Sequence, residues 1–309
     1  MTEPVAVPAR AGWAVRWMRP LAVASLVVNV LIVVTGGVVR LTASGLGCPS
    51  WPRCTTQSFV PHRELGIHGA IEFGNRMVTF LLAAVAIATF LAAWRYGRPV
   101  VLRLAFVLAL GVPAQAVIGG ITVLTHLNPW IVALHLVVSM AMIGVSVVLL
   151  RRLREGDGPP VATVPGPVAS LVRATFGAGW LVLYAGTVVT GSGPHAGDVN
   201  APRNGLDPRA LSQMHADVVF LFLGLTIGAL FALRAVGAPA RARKAAAALL
   251  LVELGQGAVG FVQYFTGLPV VLVALHLLGA ALVSASMTWL LMGVRDRAPA
   301  DVPAQPAAV

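Results

Sequence analysis

Charge is what this sequence has least of. Asp, Glu, Lys and Arg make up 11% of its 309 residues, where a soluble domain carries about a quarter. With 58% of the residues hydrophobic, this shortage excludes an ordinary water-solvated globule. Acidic residues are scarcer still, 11 against 22 Lys and Arg, for a net charge of +11. A surplus of that size would suit a nucleic-acid partner if the arginines formed a patch. They fall instead between apolar runs, so no nucleic acid is expected and they are read as topology signals. Cysteine is nearly missing: Cys48 and Cys54 lie in one loop and suffice for a single bridge. The N-terminus lacks a short apolar core with a cleavage site. Arg10, Arg16 and Arg19 precede a full-length apolar stretch, which reads as a retained first helix and not a signal peptide.

What the chain has in abundance is long apolar runs. A spanning helix needs roughly 20 mostly apolar residues. Such runs cover Pro20 to Leu41, Gly69 to Trp94, Val100 to Leu124, Trp130 to Leu150, Val168 to Thr190, Leu211 to Leu233, Ala245 to Phe265 and Pro269 to Val294. The expected fold class is therefore all-α integral membrane, with eight transmembrane helices arranged as two pseudo-symmetric four-helix bundles. Residues 1–150 form the first half and 168–309 the second. The charged, then Pro- and Gly-rich segment 151–167 is the linker between them. Alternate loops and both chain ends hold 16 of the 22 Lys and Arg, while Arg40, Arg53, Arg63, Arg203 and Arg209 flank the other loops. The positive-inside rule then puts both termini and the linker in the cytoplasm of a cell-membrane protein. The cysteine loop falls outside, in a disulfide-permissive compartment.

The two halves repeat one another. Gln115-Ala-Val-Ile-Gly119 recurs as Gln256-Gly-Ala-Val-Gly260, and Val132-Ala-Leu-His-Leu136 recurs unchanged as Val273-Ala-Leu-His-Leu277. Both pairs, and Thr125 with Thr266, are shifted by the same 141 residues, as a structural duplication requires. More weakly, Asn75-Arg-Met-Val-Thr-Phe-Leu lies over His215-Ala-Asp-Val-Val-Phe-Leu, a shift of 140. Even-numbered spans run in one direction, so these positions share a depth near the outer face. His215 then stands opposite His276, a pair able to hold one metal or haem axially in a bundle core. A histidine in a membrane helix also serves as an interhelical hydrogen-bonding group. Zinc fits less well, because neither a cysteine nor a third histidine completes a tetrahedral set there.

Glu72, Arg76, Asp217 and Glu253 are ionisable residues inside spans, where each is costly and points to function. Glu72 breaks the repeat, since its counterpart is Ser212. It shares a helix face with His68 and Asn75. A buried carboxylate there can move protons or stabilise developing positive charge. The alternative is a structural ion pair with Arg76, four residues on. Asp217 and Glu253 read as polar links within the bundle. Cys48 and Cys54 close either a stapled loop or a reducible pair. His62, His126 and His195 read as loop or interface histidines.

Taken together, Gly37-Val-Val-Arg-Leu-Thr-Ala-Ser-Gly45, Gly47-Cys-Pro-Ser-Trp-Pro-Arg-Cys54, Ile71-Glu-Phe-Gly-Asn-Arg76, Gly186-Thr-Val-Val-Thr-Gly-Ser-Gly-Pro-His195 and the spans carrying His135, His215 and His276 resemble the haem A synthase family. The likeness covers nearly the whole chain and is to an actinobacterial-type member. It implies an oxidoreductase that converts a ring methyl of haem O to the formyl group of haem A, for terminal oxidases, with water as oxygen source. His215 and His276 match the ligands of a haem b. In the first half, taken as the substrate site, His135 matches one ligand of the substrate haem iron, Glu72 the essential carboxylate, and Cys48 with Cys54 the external disulfide. Asn75 departs from the pattern, standing where many members have a histidine. His68, seven residues earlier, is a candidate replacement; ligation by His135 alone would leave an iron position open. Implied partners are the lipid bilayer and haem O, with haem O synthase, an electron donor and a second copy of the chain as further candidates. A dihaem b-type electron-transfer protein and a transporter are the competing readings. The first needs no unique carboxylate, and the second would more often show broken helices at the midplane.

Overall fold

The structure, a computed structural model, describes residues 11–297, so Arg10 lies outside the described residues. Eight helices fill them: α1 (Ala11–Leu41), α2 (Gly66–Tyr96), α3 (Pro99–Leu124), α4 (Pro129–Arg152), α5 (Gly166–Ser192), α6 (Pro208–Ala235), α7 (Ala240–Phe265) and α8 (Val270–Gly293). The shortest, α4 and α8, have 24 residues, about 36 Å at the helical rise and enough to cross a 30 Å hydrocarbon layer. All eight are long and apolar enough to span a membrane. Most begin where the local chemistry dictates. Pro99, Pro129 and Pro208 open α3, α4 and α6, where a missing N–H costs nothing. The Asn128 and Asp207 side chains accept from the N–H groups of Trp130 and Arg209, each at 3.0 Å.

The sequence-derived spans match these helices closely except at the first. α1 starts at Ala11 and carries Pro20 inside it. The extra turns are amphipathic: Ala14 and Met18 are buried while Trp13 and Trp17 face outward. A search for uncharged runs stops at Arg16 and Arg19 and so misses them.

α1 and α3 each pack on both α2 and α4, α5 packs on α6 and α8, and α7 likewise joins α6 and α8. The first four helices thus share a pattern of neighbours with the last four. Between the groups, α4 lies on α8, flanked by α1 on α8 and α4 on α5. At the central seam the Ser284 hydroxyl donates to the Met140 carbonyl at 2.7 Å, and Gly144 leaves room for Thr288. Small residues of this kind let membrane helices approach closely. One apolar core runs through the seam, joining Val33, Met140 and Ile143 to Phe222, Leu249 and Met287.

The linker is shorter than expected, because α4 runs through Arg152 and α5 starts at Gly166. It is also ordered. Strand β1 (Val161–Ala162) pairs antiparallel with β2 (Arg295–Asp296), tying the linker to the segment after α8. Buried Glu155 takes hydrogen bonds from Arg151 at 2.6 Å and Arg152 at 3.0 Å. Arg98 binds Asp157 at 2.9 Å and holds its carboxyl below the usual carboxylate range.

Candidate functional site: three histidines and a capped carboxylate

The repeat motifs acquire a mechanical meaning where α3 meets α4 and α7 meets α8. Gln115 Nε2 donates to the His135 carbonyl at 3.0 Å, and Gln256 Nε2 donates to the His276 carbonyl at 3.1 Å. Four residues after each glutamine comes a glycine. A Cβ on Gly119 would stand 3.3 Å from the His135 ring, and one on Gly260 would stand 3.4 Å from the His276 ring. So the glutamine fixes the backbone of the histidine and the glycine makes room for its ring. His215 on α6 uses the same device, with its ring 3.2 Å from the position of a Cβ on Gly186 of α5. All three rings are half-buried. Their Nδ1 atoms are enclosed by protein and have no hydrogen-bond partner. No group of three His, Cys, Asp or Glu suited to a metal ion occurs among the described residues.

Asn75 is arranged differently. It faces Thr35 of α1, whose hydroxyl donates to Asn75 Oδ1 at 2.7 Å. Next to Thr35, a Cβ on Gly36 would meet nothing within 4 Å. His68 lies beyond this point, with Nδ1 3.0 Å from the Ser44 hydroxyl, and its backbone carbonyl crowds Gly47. It is occupied with the loop after α1.

Glu72 is buried and both of its oxygens are engaged. Oε1 pairs with Arg76 at 2.7 Å, and Oε2 accepts from the Cys48 backbone N–H. Arg76 then reaches past the carboxylate to the carbonyls of Ser50 at 3.0 Å and Arg53 at 3.1 Å. The pair therefore fastens the cysteine loop over the end of α2. Cys48 and Cys54 are joined by a disulfide and fully buried. Between them Trp51 packs so tightly on Gly120 of α3 that a Cβ there would overlap its ring. The loop is a cap over the first four helices, held by one ion pair, one bridge and one indole.

The remaining polar residues take lesser places. Asp217 is exposed on α6 and accepts from Gln213 at 2.8 Å, so it makes a local bond and no salt bridge across the bundle. Buried Glu253 accepts from Thr226 of α6 at 2.7 Å, a link between helices as expected. His195 meets the Leu268 carbonyl at 2.9 Å, an interface contact. His62 caps the short helix before α2, and His126 sits in the α3–α4 turn. Sequence reasoning gave no role to Thr35, Trp51 or Arg40. Arg40 leaves the end of α1 to donate to the carbonyls of His195 at 2.6 Å and Thr190 at 2.8 Å, joining the two helix groups. Its place in Gly-Val-Val-Arg-Leu was the only available signal.

Comparison with known proteins gives this arrangement a context. Residues 19–197, more than half of the chain, match the cytochrome oxidase assembly protein family (COX15-CtaA). Similar proteins include a heme A synthase of Lysinibacillus sphaericus, 36% identical over 182 residues, which are 56% of this chain and 58% of that protein. Another, from Geobacillus thermodenitrificans, is 33% identical over 140 residues, 44% of this chain and 43% of the relative. A third, from Halalkalibacterium halodurans, is 30% identical over 166 residues, covering 52% and 55%. The chain thus spans about half the length of the curated relatives it matches. With eight membrane-spanning helices and a family match across more than half its length, this chain is a multi-pass membrane protein of the cytochrome oxidase assembly protein family.

Proposed function

We propose that the protein is a haem A synthase, oxidising a porphyrin methyl of haem O to a formyl group. The observation that carries this reading is the set of three histidine rings, each laid on a glycine of the neighbouring helix, with Nδ1 unpaired in protein. A histidine kept only as interhelical glue would spend its ring nitrogens on partners. These rings do not, and half-buried imidazoles on facing helices are the donor set that haem iron takes. His215 and His276 would hold a haem b between α6 and α8, while His135 would hold the iron of haem O in the first four helices. A haem b, when bound, supplies one-electron redox chemistry.

The overall change is R–CH3 + H2O → R–CHO + 4 H+ + 4 e−, so four protons and four electrons must leave. Haem O is the substrate and haem A the product. With water as the oxygen source the reaction needs an electron acceptor in place of the donor expected from the sequence, and a haem O synthase would be the natural supplier of substrate. Glu72 is the carboxylate that serves the first site. Paired with Arg76, it sits beneath the cap, and through Cys48 it holds the cap in place over the site. Orientation follows from the arginine bias, with the cysteine cap outside and the linker cluster in the cytoplasm.

The bound pigments test this reading. Protein purified from cells that make haem O should carry haem B together with haem O or haem A. Two equivalents of haem B and no other haem would overturn it in favour of a dihaem electron-transfer protein.

A further inference from the structure

The two helix groups differ where the repeat pairs Asn75 with His215. Each histidine ring rests on a bare glycine, at 3.3 Å for His135, 3.2 Å for His215 and 3.4 Å for His276. Gly36 of α1 keeps the place of Gly186 in the repeat, as Gly36-Gly-Val-Val beside Gly186-Thr-Val-Val, but Asn75 does not reach it. Asn75 faces the Thr35 hydroxyl at 2.7 Å, and that bond turns its amide oxygen, the one atom of the side chain that can ligate a metal, toward α1. The histidine nearest along α2, His68, is held by Ser44 at 3.0 Å. The seat itself is open, since a Cβ on Gly36 would meet nothing within 4 Å where one on Gly186 would meet a ring.

We infer that the first site holds its haem iron from one side only, through His135, and that the opposite face takes a small exogenous ligand. Thr35 and Asn75 are the polar groups that face this ligand. This rests on the haem reading above. The Asn75 amide, fixed by its oxygen, has its two N–H groups left to donate. Polarity, donors and access on the distal face decide whether haem iron binds and activates a small molecule or only passes electrons. The second site, closed by two imidazoles, suits electron transfer. The first is open where its chemistry needs access.

Carbon monoxide reports on the difference without any turnover. Haem-loaded protein should show two populations. One is low-spin and unresponsive to carbon monoxide; the other is high-spin in the ferric state and binds carbon monoxide when reduced. His135→Ala should remove only the second. Asn75→His should convert it to a low-spin form that no longer binds carbon monoxide. If Thr35 obstructs the new ring, Asn75→His with Thr35→Ala, the residue at the matching position 185, should give the same conversion. Thr35→Val should leave binding intact but shift the stretching band of bound carbon monoxide, which a merely structural Thr35 would not do. Two low-spin haems, both inert to carbon monoxide in the unaltered protein, would overturn the open face while leaving the haem reading standing. Failure of the first helix group to bind any haem would overturn the haem reading itself.

Discussion

In the proposed reading His215, His276 and Glu72 have separate tasks, and each is separable by substitution. His215 and His276 are half-buried with unpaired Nδ1 atoms, so replacing either would remove a proposed haem ligand without breaking a side-chain hydrogen bond. His215→Ala and His276→Ala should each abolish the low-spin b-type spectrum of the purified protein while the protein still inserts. An unchanged spectrum in both variants would refute the assignment. Glu72 is the harder residue, because its two oxygens already fasten Arg76 and Cys48. Glu72→Gln keeps the size and one acceptor but loses the charge. The haem A formed per mole of inserted protein should fall close to zero, with the His215/His276 haem retained. If the ion pair were only a fastening, the variant would lose yield, by roughly 1–3 kcal/mol of stability, and keep its specific activity.

At the scale of helices, the Gln-x-x-x-Gly motif is a device for presenting histidine. Gln256→Leu removes the hydrogen bond to the His276 carbonyl, worth about 1 kcal/mol net. It should broaden the low-spin signal and lower haem occupancy without unfolding α7. An identical spectrum and occupancy would leave the motif with no part in positioning. Much of this level was legible in the sequence. Apolar runs are long and local, so seven helices were bounded to within a few residues, and a shift of 141 residues aligned His135 with His276 before any contact was known. The first two turns of α1 were hidden because their arginines interrupt the run while their tryptophans face outward. Thr35 and Trp51 were illegible for another reason. Their partners, Asn75 and Gly120, lie 40 or more residues away, and neither contact leaves a periodic trace. The engagement of both Glu72 oxygens was half legible. The i, i+4 spacing foretold Arg76, but no pattern foretells a backbone N–H from a loop 24 residues earlier.

Across the whole molecule, two clamps hold the helix groups together, one at each end. At the cysteine end Arg40 crosses to the α5–α6 loop. At the other, Arg151 of α4 pairs with Asp296 after α8 at 3.4 Å, beside a cluster in which Glu155 gathers Arg151 and Arg152 and Asp157 binds Arg98. Asp157 is half exposed, so its contribution is screened and small. The sign is fixed all the same. Its folded-state pKa is lowered chiefly by hydrogen bonding to Arg98, so the stabilisation is present above the unfolded pKa and fades as pH falls through the folded one. Arg98→Gln should therefore lower thermal stability slightly at neutral pH and progressively less below about pH 4. A deficit independent of pH would contradict the linkage. Orientation is testable on the same scale. In intact cells a membrane-impermeant thiol reagent should label a Gln57→Cys variant, whose position is exposed in the cysteine loop; labelling only after membrane disruption would reverse the topology. The activity itself is tested most directly by expressing the protein in cells that make haem O but no haem A, then extracting and weighing the pigments by mass spectrometry. Haem A should appear with the intact protein and be lost with Glu72→Gln. Haem O alone, in cells whose membranes hold the intact, haem-b-loaded protein, would contradict the assignment.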